Sequence, residues 1–358
     1  MKIKNIRAYL KNLKLTKPYT IAYEVMTEAV NAFVEIELEN GKTGYGAAAA
    51  AEFVFGEKLE DTIKNLQSEA VQKWIGKDIR HYHSIIAESN VLFPAYPATR
   101  TAIDIALHDA FGKYLGIPVV DFYGRRHNSM PTSITIGISS LEETLREARE
   151  YKDQGFKILK LKIGLTLEED IERFIKLRET FGNYFKIRVD GNQGYDVEKT
   201  IAFIKATRSH GLELVEQPMR VGTEEKMKTL PADIRGIIAC DESLKNVKSA
   251  MYLATEPKAC GIFNIKLMKC GGLLGAFEIA TVAQAKGIEL FWGCYDESII
   301  SISAALHAAF ACPATRYLDL DGSLTLAEDI VSGGFSLING ELSPLDIPGF
   351  GFDKYIHE

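Results

Sequence analysis

The sequence predicts an α/β protein in which parallel strands close into a barrel behind a smaller α+β domain. Three observations carry this. A strand followed by a helical stretch recurs from residue 132 until an eighth strand ends near 322. The first 125 residues show no such repeat. Charged residues fall at the C-terminal ends of the repeated strands, one strand-helix unit apart.

Taken in order, "VNAFVEIELENGKTGYG" at 30–46 alternates like a hairpin about Glu39-Asn40-Gly41. Helical stretches follow near 57–75, 78–90 and 97–115. The repeat then runs through "TSITIGI", "KILKLKIG", "FKIRVD", "LELVEQP", "GIIACDES", "GIFNIKLMK", "IELFWG" and "TRYLDLDG". Gly155, Gly211 and Gly287 close helical stretches just before the next strand, as suits a helix C′ position. Alternation at this pitch means right-handed crossovers between parallel strands. Eight units favour a closed barrel over an open doubly wound sheet, since no G-x-G-x-x-G marks a nucleotide crevice. The tail after 325, with "SPLDIPGFGFD", is irregular and is expected to pack on the first domain.

Composition bounds the function. The chain has 358 residues, more than one ordinary core serves. Forty-two basic residues against 48 acidic ones give a net charge of −6, which speaks against a nucleic-acid partner. The start, "MKIKNIRAYLKNLKL", spreads charge through its apolar residues, unlike a secretory leader or a membrane span. Five cysteines without a C-x-x-C read as reduced thiols of a cytoplasmic protein. No H-E-x-x-H is present.

The strand ends carry the chemistry. Strand two ends in Lys160 and Lys162, strand three in Asp190, strand four in Glu216, strand five in Asp241, strand six in Lys266. Such positions form the mouth of a barrel, and the spacing puts them at one height, pointing inward. Three neighbouring carboxylates repel unless a hard divalent cation joins them, and Mg²⁺ fits. Asn192 stands where it could steady a ligand or serve as a turn residue. Strands two and six are opposed in an eight-stranded barrel. Lys162 and Lys266 would then face one carbon from two sides, one taking a proton and the other returning one. Lys160 would depress Lys162 and stabilise negative charge on the substrate. The alternative is an ion-pair ladder with Asp190 or Glu216. Asp319 and Asp321, on strand eight, suit a substrate ammonium group; Asp321-Gly322 is equally a turn dipeptide.

These motifs resemble the enolase superfamily and, within it, the muconate-lactonizing-enzyme subgroup. The similarity spans nearly the whole chain, including "AIDIALHDAFGKYLGIPVVDFYG" at 102–124 and the closing "IPGFGFD". It implies a capping domain over 1–125, a modified (β/α)7β barrel over 126–324, and a segment at 325–358 packed on the cap. It implies one Mg²⁺ per subunit held by Asp190, Glu216 and Asp241, an enediolate intermediate, and Lys162 and Lys266 as opposed bases. The "DLD" of Asp319 and Asp321 is similar to the signature of dipeptide epimerases, which invert the C-terminal α-carbon of an L-X-L/D-X dipeptide.

Specificity is expected from the loops at 15–27 and 47–57. The first offers Tyr19, Ile21 and Tyr23 and only Lys17 as a basic group, which points to apolar dipeptides rather than L-Ala-D/L-Glu. Thr135 and Gly137 after strand one, and Cys294 to Glu297 after strand seven, are further candidates for lining the pocket. Muconate cycloisomerase or o-succinylbenzoate synthase chemistry is the runner-up on the same scaffold; a non-catalytic binding protein is the third reading. A small-molecule dipeptide is the expected partner, with no membrane; monomer and homo-oligomer both stay open.

Overall fold

The computed structural model describes residues 1–20 and 25–355. The N-terminal region forms a three-stranded antiparallel sheet from Ile3–Asn12, Val30–Leu38 and Thr43–Ala48, with Val30–Leu38 central. The turn at Gly41, φ 81°, makes the expected hairpin. The 19-residue helix Pro97–Leu115 lies on this sheet with its Ala-rich face against Gly44 and Gly46. A Cβ built on Gly46 would stand 1.9 Å from the Ala102 carbonyl oxygen, so the close approach requires glycine. Shorter helices, Leu59–Leu66, Glu69–Gln72 and Tyr82–Leu92, complete this layer around Trp74, Ile85 and Ile86.

Eight parallel strands follow in strict sequential order: Ile134–Ile136, Ile158–Lys162, Lys186–Asp190, Leu212–Glu216, Ile238–Cys240, Ile262–Ile265, Glu289–Gly293 and Thr315–Asp319. The first and eighth meet through a parallel bridge between Thr132 and Leu318, with Ser133 N–H donating to Leu318 O at 3.0 Å. Helices wrap the outside, so the strands are buried on both faces and read as near-continuous apolar runs. The interior holds Leu214, Ala239, Ile262 and Phe291. Below Lys160 it is plugged by Arg188, which pairs with Glu213 at 2.6 Å and lies over the rings of Phe291 and Tyr317.

The C-terminal residues touch both parts. Phe335–Ile338 and Glu341–Pro344 form a hairpin that adds Met130–Pro131 as a third strand. Gly349 O accepts from Val119 N–H at 2.8 Å, and Phe350 N–H donates to Asp109 on the long helix at 3.0 Å. No helix among the described residues is long and apolar enough to cross a membrane.

Candidate active site

The strand ends converge at the barrel mouth on a cavity of about 1110 Å³, lined by Lys160, Lys162, Asp241, Lys266, Asp319 and Asp321 among others. The ladder places Lys162 opposite Asp190 and Asp190 opposite Glu216. The run of directly paired site residues ends there. Glu216 pairs with Ala239, so Asp241 stands two residues further on, just past the end of strand five. Strands in a barrel are tilted and sheared, so keeping side chains at the mouth requires advancing along the ladder. Lys266 stands just past strand six, as the residue preceding the one-turn helix Leu267–Cys270.

The lysines and acids interleave. Lys160 Nζ lies 2.7 Å from Asp319, 2.8 Å from Glu216 and 3.0 Å from Asp190. Lys162 Nζ donates to Asp190 at 2.7 Å and to Asn192 Oδ1 at 2.9 Å. Lys266 Nζ is 2.8 Å from Asp241. The sequence predicts that Lys160 depresses Lys162; the protein's own side chains push Lys160 and Lys266 upward. Burial disfavours both ammonium groups, but Asp190, Asp319 and Glu216 around Lys160, and Asp241 beside Lys266, outweigh it. Asp190 is held down at about 2: burial opposes its charge and Lys160 and Lys162 prevail.

Among the described residues, no three carboxylate, His or Cys side chains are gathered at metal-holding distance, because ammonium groups stand between the acids. The donor set nevertheless suits a hard divalent cation. Glu216 Oε2 is fully buried and accepts no hydrogen bond, although Lys160 lies beside it. Burial first, then the neighbouring Asp190, push the Glu216 carboxyl up to about 8. A buried carboxylate whose Oε2 is met by an ammonium, flanked by two more acids on adjacent strands, is a site that a divalent cation would relieve.

On strand eight, Asp319 accepts from Ser133 Oγ at 2.6 Å as well as from Lys160. Asp321 accepts the Thr135 backbone N–H at 2.8 Å, and burial together with Asp319 pushes it up to about 6. Thr135 thus contributes its backbone to Asp321 while lining the cavity. Glu297 is buried and accepts from Tyr295 N–H at 2.8 Å; it touches the cavity only through its neighbours Tyr295 and Asp296. Tyr19 begins a two-residue strand paired with Val25–Met26. Ile21 and Tyr23 lie outside the described residues.

Residues 143–354 match the enolase C-terminal domain-like family, and residues 5–124 match the mandelate racemase / muconate lactonizing enzyme N-terminal domain. The chain belongs to the enolase superfamily. Within this superfamily it is similar to the L-Lys-D/L-Arg epimerase of Desulforapulum autotrophicum, 51% identical over 99% of this chain and 100% of that protein. A dipeptide epimerase from Methylococcus capsulatus, solved with Mg and L-Arg-D-Lys, has a TM-score of 0.97 at 48% identity, covering 98% of this chain and 99% of that one. The Enterococcus faecalis dipeptide epimerase, solved with Mg and L-Leu-L-Tyr, has a TM-score of 0.93 at 33% identity, covering 99% and 100%.

Further side chains that the strand-end pattern does not single out support the site. Lys269 sits inside the turn after Lys266, bonded to Asp241 and, at 3.1 Å, to Asn264 O. Asn264 Nδ2 donates to Glu216 Oε1 at 2.7 Å and so leaves Oε2 facing Lys160. Gln217 Oε1 accepts from the backbone N–H groups of Asp241 and Ser243, fixing the loop after strand five. The signal was present: Asn264 precedes Lys266 by two, and so shares its face of strand six, and Gln217 follows Glu216 directly.

Proposed function

We propose that the protein is a magnesium-dependent dipeptide epimerase whose preferred substrates carry basic side chains. The observation that carries the epimerase reading is the opening of Lys162 and Lys266, from opposed strands, into one cavity beside three acids. In this reading Asp190, Glu216 and Asp241 hold magnesium. When bound, the ion supplies positive charge against which the substrate carboxylate accepts electron density, making the α-hydrogen acidic. Lys160 adds a second cation there. One of Lys162 and Lys266, as the neutral amine, takes the α-hydrogen: the Cα–H bond breaks and an Nζ–H bond forms. The other, as the ammonium, delivers its proton to the opposite face of the resulting enediolate, which inverts the centre. Asp321, across the mouth, receives the substrate's α-ammonium, with Asp319 behind it.

The preference for basic side chains rests on the cavity wall. Apart from the central acids and Glu242, the lining includes Glu28, Glu143, Glu147, Glu150 and Asp296, against Lys17 and Arg146. Lys17, the basic group that could have read a substrate glutamate, is already paired with Glu143 at 2.8 Å and Glu147 at 2.5 Å. Arg146 is paired with Glu143 and Glu150. The apolar preference expected above rests on Tyr19, Ile21 and Tyr23, whose side chains lie outside the described residues; the described wall sets these acids among apolar groups such as Phe53, Val54, Leu59 and Ile138. The L-Lys-D/L-Arg specificity of the relatives points to basic side chains as well.

The test is α-hydrogen exchange in D₂O by the magnesium-loaded enzyme on paired L,L and L,D dipeptides, read by mass shift and chiral chromatography. Dipeptides with Lys or Arg should exchange and invert fastest. No exchange with any dipeptide would sink the epimerase reading. Faster turnover of Ala-Glu or Leu-Tyr than of Lys- and Arg-containing dipeptides would sink only the substrate class.

A further inference from the structure

We infer that Tyr295 is a positioning residue for Lys266, seating its amine and coupling that seat to the capping segment through Phe55. The inference rests on the two-base reading above and concerns a segment, 294–297, whose roles the sequence left unassigned.

Lys266 Nζ stands 4.5 Å from the centroid of the Tyr295 ring. Its polar contact is Asp241, at 2.8 Å. The amine therefore rests between a carboxylate and an aromatic face. Room for it comes from Gly293: a Cβ there would lie 3.1 Å from Lys266 Cε. Lys162 is held differently, by the oxygens of Asp190 and Asn192. The two opposed lysines are thus not equivalent in their seats.

Tyr295 is itself held at three points, two on its backbone and one on its ring. Its backbone N–H donates to Glu297 at 2.8 Å. Its carbonyl oxygen packs where a Cβ on Gly322 would come within 1.9 Å, so glycine is required beside it. Its ring meets Phe55 edge to face, centroids 6.1 Å apart at 63°. Phe55 ends the short helix Glu52–Phe55 of the capping region, whose Phe53 and Val54 line the cavity. A face-on aromatic contact attracts an ammonium without fixing it as a carboxylate does. It sets where the amine rests yet lets it swing toward a substrate carbon. Any shift of the capping segment on substrate binding reaches Lys266 through Phe55 and Tyr295.

The experiment separates the two bases. In D₂O, a lysine that takes the α-hydrogen can exchange N–H for N–D and return deuterium to the same face, giving exchange without inversion. Both epimers of a dipeptide that the wild type turns over are followed by NMR and chiral chromatography with Tyr295→Leu, Tyr295→Phe and Phe55→Ala, each loaded with magnesium. Tyr295→Leu should cut inversion roughly tenfold or more, as expected for a misplaced base. The epimer whose α-hydrogen faces Lys162 should still exchange near the wild-type rate, while its partner loses exchange and inversion together. Tyr295→Phe, which keeps the ring, should stay within about twofold of wild type. Phe55→Ala, which leaves the barrel intact, should show the same asymmetry in weaker form. Equal loss for both epimers, or no asymmetry in either Tyr295→Leu or Phe55→Ala, overturns the assignment while leaving the two-base reading standing. A wild type that exchanges no α-hydrogen takes both down.

Discussion

Under the two-base reading proposed above, Lys162 and Lys266 do opposite things on opposite faces, and a variant of each tests it. Lys162→Ala and Lys266→Ala should each lower kcat by a factor of about 10³ or more, while magnesium binding by titration calorimetry stays within a few-fold of wild type. Activity retained by both variants would remove the two-base scheme. Glu297 makes a different kind of prediction. Burial, first among the causes, pushes its carboxyl up to about 7. The same group titrates near 4.3 in an unfolded chain. Its folded value is raised, so the stability it allows is complete below about pH 4 and is lost as pH rises through about 7. Glu297→Gln removes that loss. Urea unfolding from pH 5 to pH 8 should show the variant gaining on the wild type by on the order of 2 kcal/mol; a pH-independent difference would mean that Glu297 is ionised without penalty.

At the scale of elements, the capping sheet and the long helix depend on absent side chains. The Ala102 and Ala106 carbonyls of Pro97–Leu115 occupy the space where Gly46 and Gly44 would carry a Cβ. Gly46→Ala must push the helix off the sheet and should cost about 1–3 kcal/mol by denaturant unfolding. Strand eight illustrates how one element serves two purposes. Both Asp319 and Asp321 line the cavity, but Asp319 is bound to Lys160 and Ser133 while Asp321, two residues on, accepts the Thr135 backbone N–H. Asp321→Asn should therefore raise KM for free dipeptides roughly tenfold, the loss of one charge-assisted hydrogen bond. Asp319→Asn should act chiefly on kcat through Lys160. The "DLD" motif was legible in the sequence as a pair; the division of labour within it was not, because it depends on which oxygen faces which lysine across the barrel.

At the scale of the molecule, an acid-lined mouth on a chain of net charge −6 sets up long-range attraction for cationic dipeptides. Raising ionic strength from about 10 mM to about 300 mM shortens the screening length several-fold and should raise KM for Lys- and Arg-containing dipeptides, leaving neutral ones nearly unchanged. An equal response from both would locate the selectivity elsewhere. Removing magnesium with EDTA should abolish epimerisation, and its return should restore it.

The sequence by itself determined the barrel, the order of its strands and the residues at their ends. Strand periodicity and the fixed length of a strand-helix unit are local properties, so carboxylates and lysines one unit apart are forced to the same mouth. It also disclosed the hairpin at Gly41 and the long helix at 97–115, for the same local reason. Tertiary structure alone decided the rest. It advanced Asp241 along the ladder, which follows from barrel shear and no residue encodes. It spent Lys17 on Glu143 and Glu147, which sit some 130 residues away in the chain, and so turned a loop that reads as aromatic and weakly basic into part of an acidic wall. It also laid the Tyr295 ring over Lys266. Contacts of that kind join elements whose separation in sequence carries no signal of their nearness in space.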